Sequence, residues 1–163
     1  MKVDIQWSHR SVAKQSPLSS GELKIFLRAI VARVLKEPEA QAWVLKAGAK
    51  PDSLGLRFCD DQEMREIHRR LRHIDRATDI LSFPAAEWGE GAWLEGRALG
   101  DLLVSLETVQ RAATRARRSM KNELREVLIH GVLHLFGWDH VGVSRTRADR
   151  MRQLQKKILR VMK

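Results

Sequence analysis

Three histidines lie within eleven residues of the chain and have the spacing of a metal site. His130 and His134 are four residues apart in a segment that predicts a helix, so their side chains project from one face, one turn apart. Gly137 can turn the chain after this helix, and His140 can then return to supply a third nitrogen. Three protein ligands with an open fourth position are typical of catalytic zinc. The pattern therefore predicts one Zn²⁺ per chain, although nickel, copper and iron also bind imidazole.

The same spacing occurs in the metzincin proteases, HExxHxxGxxH, but with one difference that matters. The glutamate that acts there as general base is replaced by Gly131, which cannot take a proton from a metal-bound water. The motif therefore predicts a metal without predicting peptide hydrolysis, and no residue is assigned as the general base. Asp139 adjoins a ligand and either orients an imidazole from behind or caps the turn after Gly137; both alternatives stay open.

The helix that must carry the first two histidines is predicted by its ends and by its apolar stripe. Ser119 can cap it and Gly137 is a signal for its end. Its apolar residues recur at helical spacing, namely Leu124, Val127, Leu128, Val132 and Leu135. One face of this helix is therefore expected in the core, with the histidines beside it.

Shorter patterns predict the remaining elements of an α+β fold. Strands are expected at 3–6, 54–58, 78–83 and 101–105, and a long hairpin loop with Trp88 and Trp93 packed on the body at 85–99. One helix is expected from a serine cap within Ser19-Ser20-Gly21-Glu22 to about Lys36, with Pro38 at or beyond its end. Others are expected after Asp60 and Asp61 with Leu71 inward, over 107–118, and over 145–163 with Val161 inward. We therefore expect a single domain over 1–163, in which one small mixed sheet of about four strands is covered by about five helices.

The composition fits a globular protein, because 44% of the 163 residues are hydrophobic. The one cysteine, Cys59, cannot form an internal disulfide, and no disulfide-linked partner is expected. The first residues have no apolar signal region, and no run approaches a membrane span. The prediction is a soluble cytoplasmic protein with no membrane partner.

The charge is concentrated in the part of the chain that holds the histidines. Thirty Lys and Arg against twenty Asp and Glu give a net charge of +10, and residues 106–163 have fourteen against five. Such a surface favours a polyanion, RNA or DNA, although a solvated basic surface is the plain alternative. Arg111, Arg115 and Arg118 have helical spacing and are the candidates for contact with a nucleic-acid backbone.

Three sequence blocks resemble the YbeY family of bacterial and organellar endoribonucleases. HGVLHLFGWDH, from His130 to His140, fits the family's HGxLHLxGxDH signature at every fixed position. DRATDILSFP, from Asp75 to Pro84, resembles its D-x-[PA]-T-[DN]-[VI]-L-S-F-P block, and the strand that begins at Leu99 resembles its LGD strand. The blocks occur in the family's order, and the similarity extends loosely from about Leu54 onward.

The resemblance implies a hydrolase-like α+β fold and zinc on the three histidines. It also implies a single-strand-specific endoribonuclease that matures the 3′ end of small-subunit (16S) rRNA and acts in ribosome quality control. Its partners would be ribosomal RNA, the small subunit and that subunit's assembly proteins. The alternatives are a metalloprotease-like or other metallohydrolase, and a non-catalytic assembly factor with a structural metal.

The resemblance also assigns site residues. The family's arginine falls on Arg72, which with His134 is the catalytic candidate; its guanidinium would bind two phosphate oxygens as charge develops. Four residues earlier many members have asparagine where this chain has His68, so no role is transferred to it. Asp79 and Asp101 lie in matching blocks and are either site residues or structural partners. Ser82 and Cys59 are expected to be structural.

Overall fold

The computed structural model describes residues 1–85, 97–138 and 144–162. In chain order its elements are β1 (Lys2–Trp7), α1 (Arg10–Gln15), α2 (Ser20–Val34), α3 (Pro38–Ala47), β2 (Ser53–Cys59), α4 (Asp61–Arg72), β3 (Ile80–Pro84), β4 (Ala98–Ser105), α5 (Leu106–Arg115), α6 (Met120–Leu135) and α7 (Arg145–Val161). The predicted α+β class is confirmed, but these residues form seven helices where about five were predicted. None of the described helices combines the length and the apolar composition needed to cross a membrane.

The four strands form one mixed sheet with the order β1-β2-β4-β3. β1, β2 and β4 are parallel, with Leu56 opposite both Ile5 and Leu102, whereas β3 is antiparallel at one edge, with Ser82 opposite Leu102. Parallel neighbours need long crossover connections, which α1 to α3 supply between β1 and β2. The antiparallel pairing of β3 with β4 agrees with the predicted hairpin. Its loop, with Trp88 and Trp93, falls mostly outside the described residues.

The two faces of the sheet are covered differently. Alternate strand residues, among them Leu54, Leu56, Leu102 and Val104, are buried in the large core that α2 and α6 cover. The opposite face packs on α4 through a smaller cluster of Cys59, Met64, Leu81 and Leu103. α7 packs against α6 through its own buried stripe. α6 is therefore held between the sheet and α7.

The predicted helix caps are formed. The Ser19 hydroxyl accepts from the Glu22 N–H while the Glu22 carboxylate accepts from the Ser19 N–H, which is a capping box. The Ser119 hydroxyl accepts from the Asn122 N–H at the start of α6. Local side-chain chemistry therefore sets where these two helices begin.

Gly137 ends α6 in a Schellman motif. Its φ is +85°, its N–H donates to the His134 carbonyl at 2.9 Å, and the Trp138 N–H donates to the Leu133 carbonyl at 3.1 Å. The left-handed residue reverses the chain directly after His134. This agrees with the predicted turn before His140.

One predicted helix end and two predicted inward positions are wrong. Pro38, in contrast, follows the end of α2 at Val34 as predicted, and it lies in the first turn of α3, where its missing N–H costs nothing. α5 ends at Arg115, so Arg118 is not part of it. Leu71 and Val161 are 49% and 56% exposed because each lies in the last turn of its helix, where the apolar stripe extends past the core.

Candidate metal centre

α6 brings His130 and His134 together as the sequence predicts. Their Nε2 atoms are 3.1 Å apart, and the half-buried rings meet edge to face with centroids 4.6 Å apart. Two imidazole nitrogens on one tetrahedral zinc, at about 2.0–2.1 Å from it, are about 3.3 Å from each other. The pair therefore has both the donor chemistry and the spacing that a zinc ion requires.

The third predicted ligand, His140, and its neighbour Asp139 lie outside the described residues. Within the described ranges no three His, Cys, Asp or Glu side chains form a group able to hold a metal. The assignment of His140 as a ligand stays a prediction, as does the role of Asp139.

At Gly131, α6 lies close to the sheet. A Cβ atom added there would overlap Ile80 Cδ1 and would be 2.8 Å from Leu102 Cδ2. The Ser82 hydroxyl donates to the Gly131 carbonyl at 3.4 Å, which gives Ser82 a structural contact. A side chain at this position would fit between the helix and the sheet only if the ends of the Ile80 and Leu102 side chains moved. The sequence therefore lacks the protease base at a position where packing also disfavours it.

Gln155 of α7 contacts the back of the histidine pair, and sequence reasoning missed it. Its Oε1 is 3.0 Å from His130 Nδ1, and its Nε2 donates to Glu126 Oε1 at 3.4 Å. Glu126 is also ion-paired with Arg118. The sequence signal was weak: a polar residue next to the buried Leu154, on a helix whose partner was not known.

The catalytic candidate Arg72 is the last residue of α4 and is exposed. Among the described residues it forms no ion pair or side-chain hydrogen bond, and it does not contact the histidine pair. Its role stays a prediction. His68, one turn earlier, is buried, and its Nδ1 donates to the Arg76 carbonyl at 2.8 Å. His68 therefore fastens the segment that follows α4.

Of the two acidic candidates, Asp79 has structural partners, and Asp101 lies away from the histidines. The Asp79 carboxylate accepts from the Thr78 hydroxyl at 3.1 Å and the Ile80 N–H at 2.8 Å, at the start of β3. Asp101 lies on the sheet face opposite α6, with its carboxylate over Gly55. Desolvation, and then the nearby Asp4, raise the pKa of Asp101. The structure does not bring Asp101 to the histidines.

Two of the three basic candidates are paired within the chain. Arg111 is 2.5 Å from the Asp61 carboxylate, and Arg118 is ion-paired with both Glu123 and Glu126. Arg115 is exposed at the end of α5. The predicted common face is wrong for Arg118, because the chain turns between Arg115 and Arg118.

Cys59 is fully buried, and its thiol donates to the Val104 carbonyl at 3.6 Å. Burial, followed by the charge of Glu63, raises the pKa of the thiol to about 12. A thiol held in its neutral form and packed in this way is a core residue instead of a metal ligand.

Two cavities lie on different sides of the sheet. One, of about 400 Å³, adjoins the end of α6 and is lined by Trp43, Phe136 and Trp138 with Arg147 and Arg150. The other, of about 530 Å³, lies on the face that carries Asp101. The smaller cavity is lined in part by Gly137 and Trp138, the last described residues before His140 in the chain.

Comparison with known proteins identifies the family and agrees with the fold. The family model of endoribonuclease YbeY matches residues 12–163. Endoribonuclease YbeY of Agrobacterium fabrum is 41% identical over 112 residues, which cover 69% of this chain and 65% of the relative. That of a Synechococcus strain is 36% identical over 137 residues, which cover 75% and 74%. The chain spans about three-fifths of the length of the first curated relatives that it matches.

A protein from Thermotoga maritima with a known solution structure has the same fold, with a TM-score of 0.60. It is 24% identical, and the superposition covers 99% of this chain and 89% of that one. Because one family model covers nearly the whole chain, the chain belongs to the endoribonuclease YbeY family.

Proposed function

We propose that this protein is a metal-dependent endoribonuclease that cleaves single-stranded RNA. The observation that carries the proposal is the convergence of His130 and His134, whose Nε2 atoms are 3.1 Å apart on a helix held between the sheet and α7. In the proposed site these nitrogens and His140 hold one Zn²⁺. The family name of the relatives supports RNA as the substrate.

The finer part of the proposal concerns the RNA that is cut. The resemblance of the histidine block and of the Asp75–Pro84 block supports a role in the maturation of the 3′ end of 16S rRNA and in ribosome quality control. Ribosomal RNA, the small subunit and its assembly proteins are then the partners, and the cytoplasm is the site of action.

In the proposed site, the histidines bind the metal and Arg72 binds the phosphate that is cleaved. When bound, zinc supplies an acidified water or polarises a phosphate oxygen. His130 and His134 hold their nitrogens toward one point because both side chains leave the same face of α6. The guanidinium of Arg72 binds two phosphate oxygens and stabilises the charge that develops there. Arg72→Lys keeps the charge but loses the fork, so we expect slower cleavage.

The cavity beside the end of α6 supports a single-stranded substrate. Aromatic side chains stack on unpaired bases, and cations hold the backbone between them. Trp43, which is partly exposed, supplies aromatic surface, and Arg147 supplies a cation that forms no ion pair within the described chain. This combination lies directly before the residues that complete the predicted ligand set.

One experiment separates the proposal from its alternatives. Purified protein is incubated with 16S rRNA and with casein, with and without chelator, beside His134→Ala. As matched control, His9→Ala changes an exposed histidine in the segment before α1. We expect RNA cleavage that chelator and His134→Ala abolish and His9→Ala preserves. Equal cleavage by all three proteins would indicate a contaminating nuclease and would contradict the proposal.

The other outcomes identify the other functions. Chelator-sensitive cleavage of casein would indicate a protease. No cleavage of either substrate, with a melting temperature that chelator lowers, would indicate an assembly factor with a structural metal.

A further inference from the structure

Gln155 forms the one side-chain bridge that the described residues show between α7 and the histidine pair. It lies 25 positions after His130 in the chain, and its Oε1 is 3.0 Å from His130 Nδ1. The residue is half-buried beside an α6–α7 contact that Met151, Leu154 and Ile158 already stabilise. Its amide is therefore not needed to bring the two helices together.

The direction of the two hydrogen bonds of the Gln155 side chain follows from the ion pair between Glu126 and Arg118. Glu126 is ion-paired with Arg118, so its carboxylate only accepts hydrogen bonds. The Gln155 amide must therefore turn its NH₂ group toward Glu126, which leaves the carbonyl oxygen for His130. A carbonyl also only accepts, so His130 carries its proton on Nδ1.

A neutral imidazole protonated on Nδ1 has a lone pair on Nε2, and that atom is 3.1 Å from Nε2 of His134. Without a bridge to Nδ1 the ring would exchange between two tautomers, only one of which has Nε2 as a ligand. Partners of this kind behind a ligating histidine commonly affect metal affinity by about 10–100-fold.

We propose that Gln155 is a positioning residue that holds His130 in the Nδ1–H tautomer, with Glu126 and Arg118 fixing the orientation of its amide. The expected effect of Gln155 on zinc affinity rests on the proposed metal centre. The tautomer itself does not depend on a metal.

The first measurement uses the metal-free full-length protein. ¹⁵N–¹H NMR of the imidazole nitrogens reports which nitrogen of His130 is protonated. We expect the Nδ1–H form in the wild type and a mixture shifted toward Nε2–H in Gln155→Leu. The matched control is Gln153→Leu, the same change at an exposed position of the same helix, which should leave His130 unchanged. An unchanged tautomer in Gln155→Leu would overturn the proposal.

The second measurement is zinc affinity by competition with a chromophoric chelator. Gln155→Leu should bind zinc about 10–100-fold more weakly, and Gln153→Leu should bind like the wild type. The exchange variant, Glu126→Gln with Gln155→Glu, keeps an NH₂ donor at 126 and an acceptor at 155. It should restore both the tautomer and the affinity, which a general loss of structure would not allow.

The two measurements separate failure of this inference from failure of the metal centre. If the wild type binds no zinc, the metal centre is wrong and the NMR result alone decides the role of Gln155. If the wild type binds zinc and Gln155→Leu binds it equally well, the positioning role is wrong and the metal centre remains.

Discussion

Gly131 shows how a single residue can serve packing where a related motif would need chemistry. A glycine in a helix interior costs about 0.5–1 kcal/mol relative to alanine. Here α6 lies close enough to β3 and β4 that a Cβ would overlap Ile80 and Leu102. The absence of a side chain therefore lets the histidine helix approach the sheet, and the same absence removes the protease base.

Gly131→Ala should destabilise the protein by about 1 kcal/mol, because the added methyl overlaps the ends of the Ile80 and Leu102 side chains, which must shift to admit it. The measurement is the free energy of unfolding in urea. Gly21→Ala is the matched control: at Gly21 the nearest atom to an added Cβ is Ser19 Oγ at 3.9 Å. That change should raise stability by up to about 1 kcal/mol. If Gly131→Ala were as stable as the wild type, the close approach of α6 would be wrong.

Asp101 should make stability depend on pH in the direction opposite to most acids. Its pKa is raised in the folded state by desolvation and by Asp4. Folding therefore favours the protonated form, and stability falls as pH rises through the unfolded and then the folded pKa. Asp101→Asn removes this penalty, so the variant should be more stable than the wild type at pH 7.

The stability difference between Asp101→Asn and the wild type should shrink toward zero at a pH below the ordinary aspartate range, where both side chains are neutral. Unfolding in urea at several pH values measures it. A variant that is less stable at pH 7, or a difference that does not change with pH, would contradict the desolvation of Asp101.

At the scale of elements, the turn after α6 depends on a left-handed residue. Gly137 has φ +85°, and a Cβ atom added there would have no neighbour within 4 Å, so a substitution acts through backbone strain alone. Gly137→Ala should cost about 1–2 kcal/mol, and Gly137→Asn less, because asparagine adopts this region more readily. Since the turn leads to His140, zinc affinity should fall in the same order. Equal unfolding free energies for glycine and alanine would contradict the motif.

The helices that the sequence predicted well are those with strong local signals. α2 and α6 have serine caps and long apolar stripes, and both begin where expected. α1 has six residues and no side-chain cap bond, and α3 begins with a proline that also fits the end of α2. The local signal of α1 is too weak to predict it, whereas α3 has a signal that was missed: Pro38 at its start and Gly48, with φ +73°, after its end.

The residues of the candidate site also differ in how well the sequence predicts them. His130 and His134 could be predicted because a four-residue spacing on a helix fixes their relation without any tertiary structure. Gln155 could not, because its contact depends on how α7 lies against α6. The position of Asp101 depends on strand register, since neighbouring residues of β4 face opposite sides of the sheet.

At the scale of the whole molecule, fewer cations are available to bind phosphates than the residue count indicates, because acids of the same chain pair with several of them. From residue 106 onward, Arg111, Arg118, Lys121, Arg150, Arg152 and Lys157 are each paired with an acid. In the described part of this region the exposed cations without an ion pair are Arg115, Arg117, Arg145, Arg147, Lys156 and Arg160. These, instead of Arg111 and Arg118, are the groups available to phosphates.

RNA affinity should therefore fall steeply with salt. For single strands the slope of log K against log salt is about −0.7 per phosphate contacted, so contacts by about six cations would give a slope near −4.

Arg147→Gln should weaken binding and make the slope shallower by about 0.7. Arg152→Gln removes a cation that Asp149 already neutralises at 2.5 Å, so its slope should match the wild type. Fluorescence anisotropy of a labelled single-stranded RNA measures all three proteins. A flat salt response of the wild type would remove the electrostatic basis for RNA binding, and equal effects of the two substitutions would show that ion pairing within the chain does not select the cations that hold RNA.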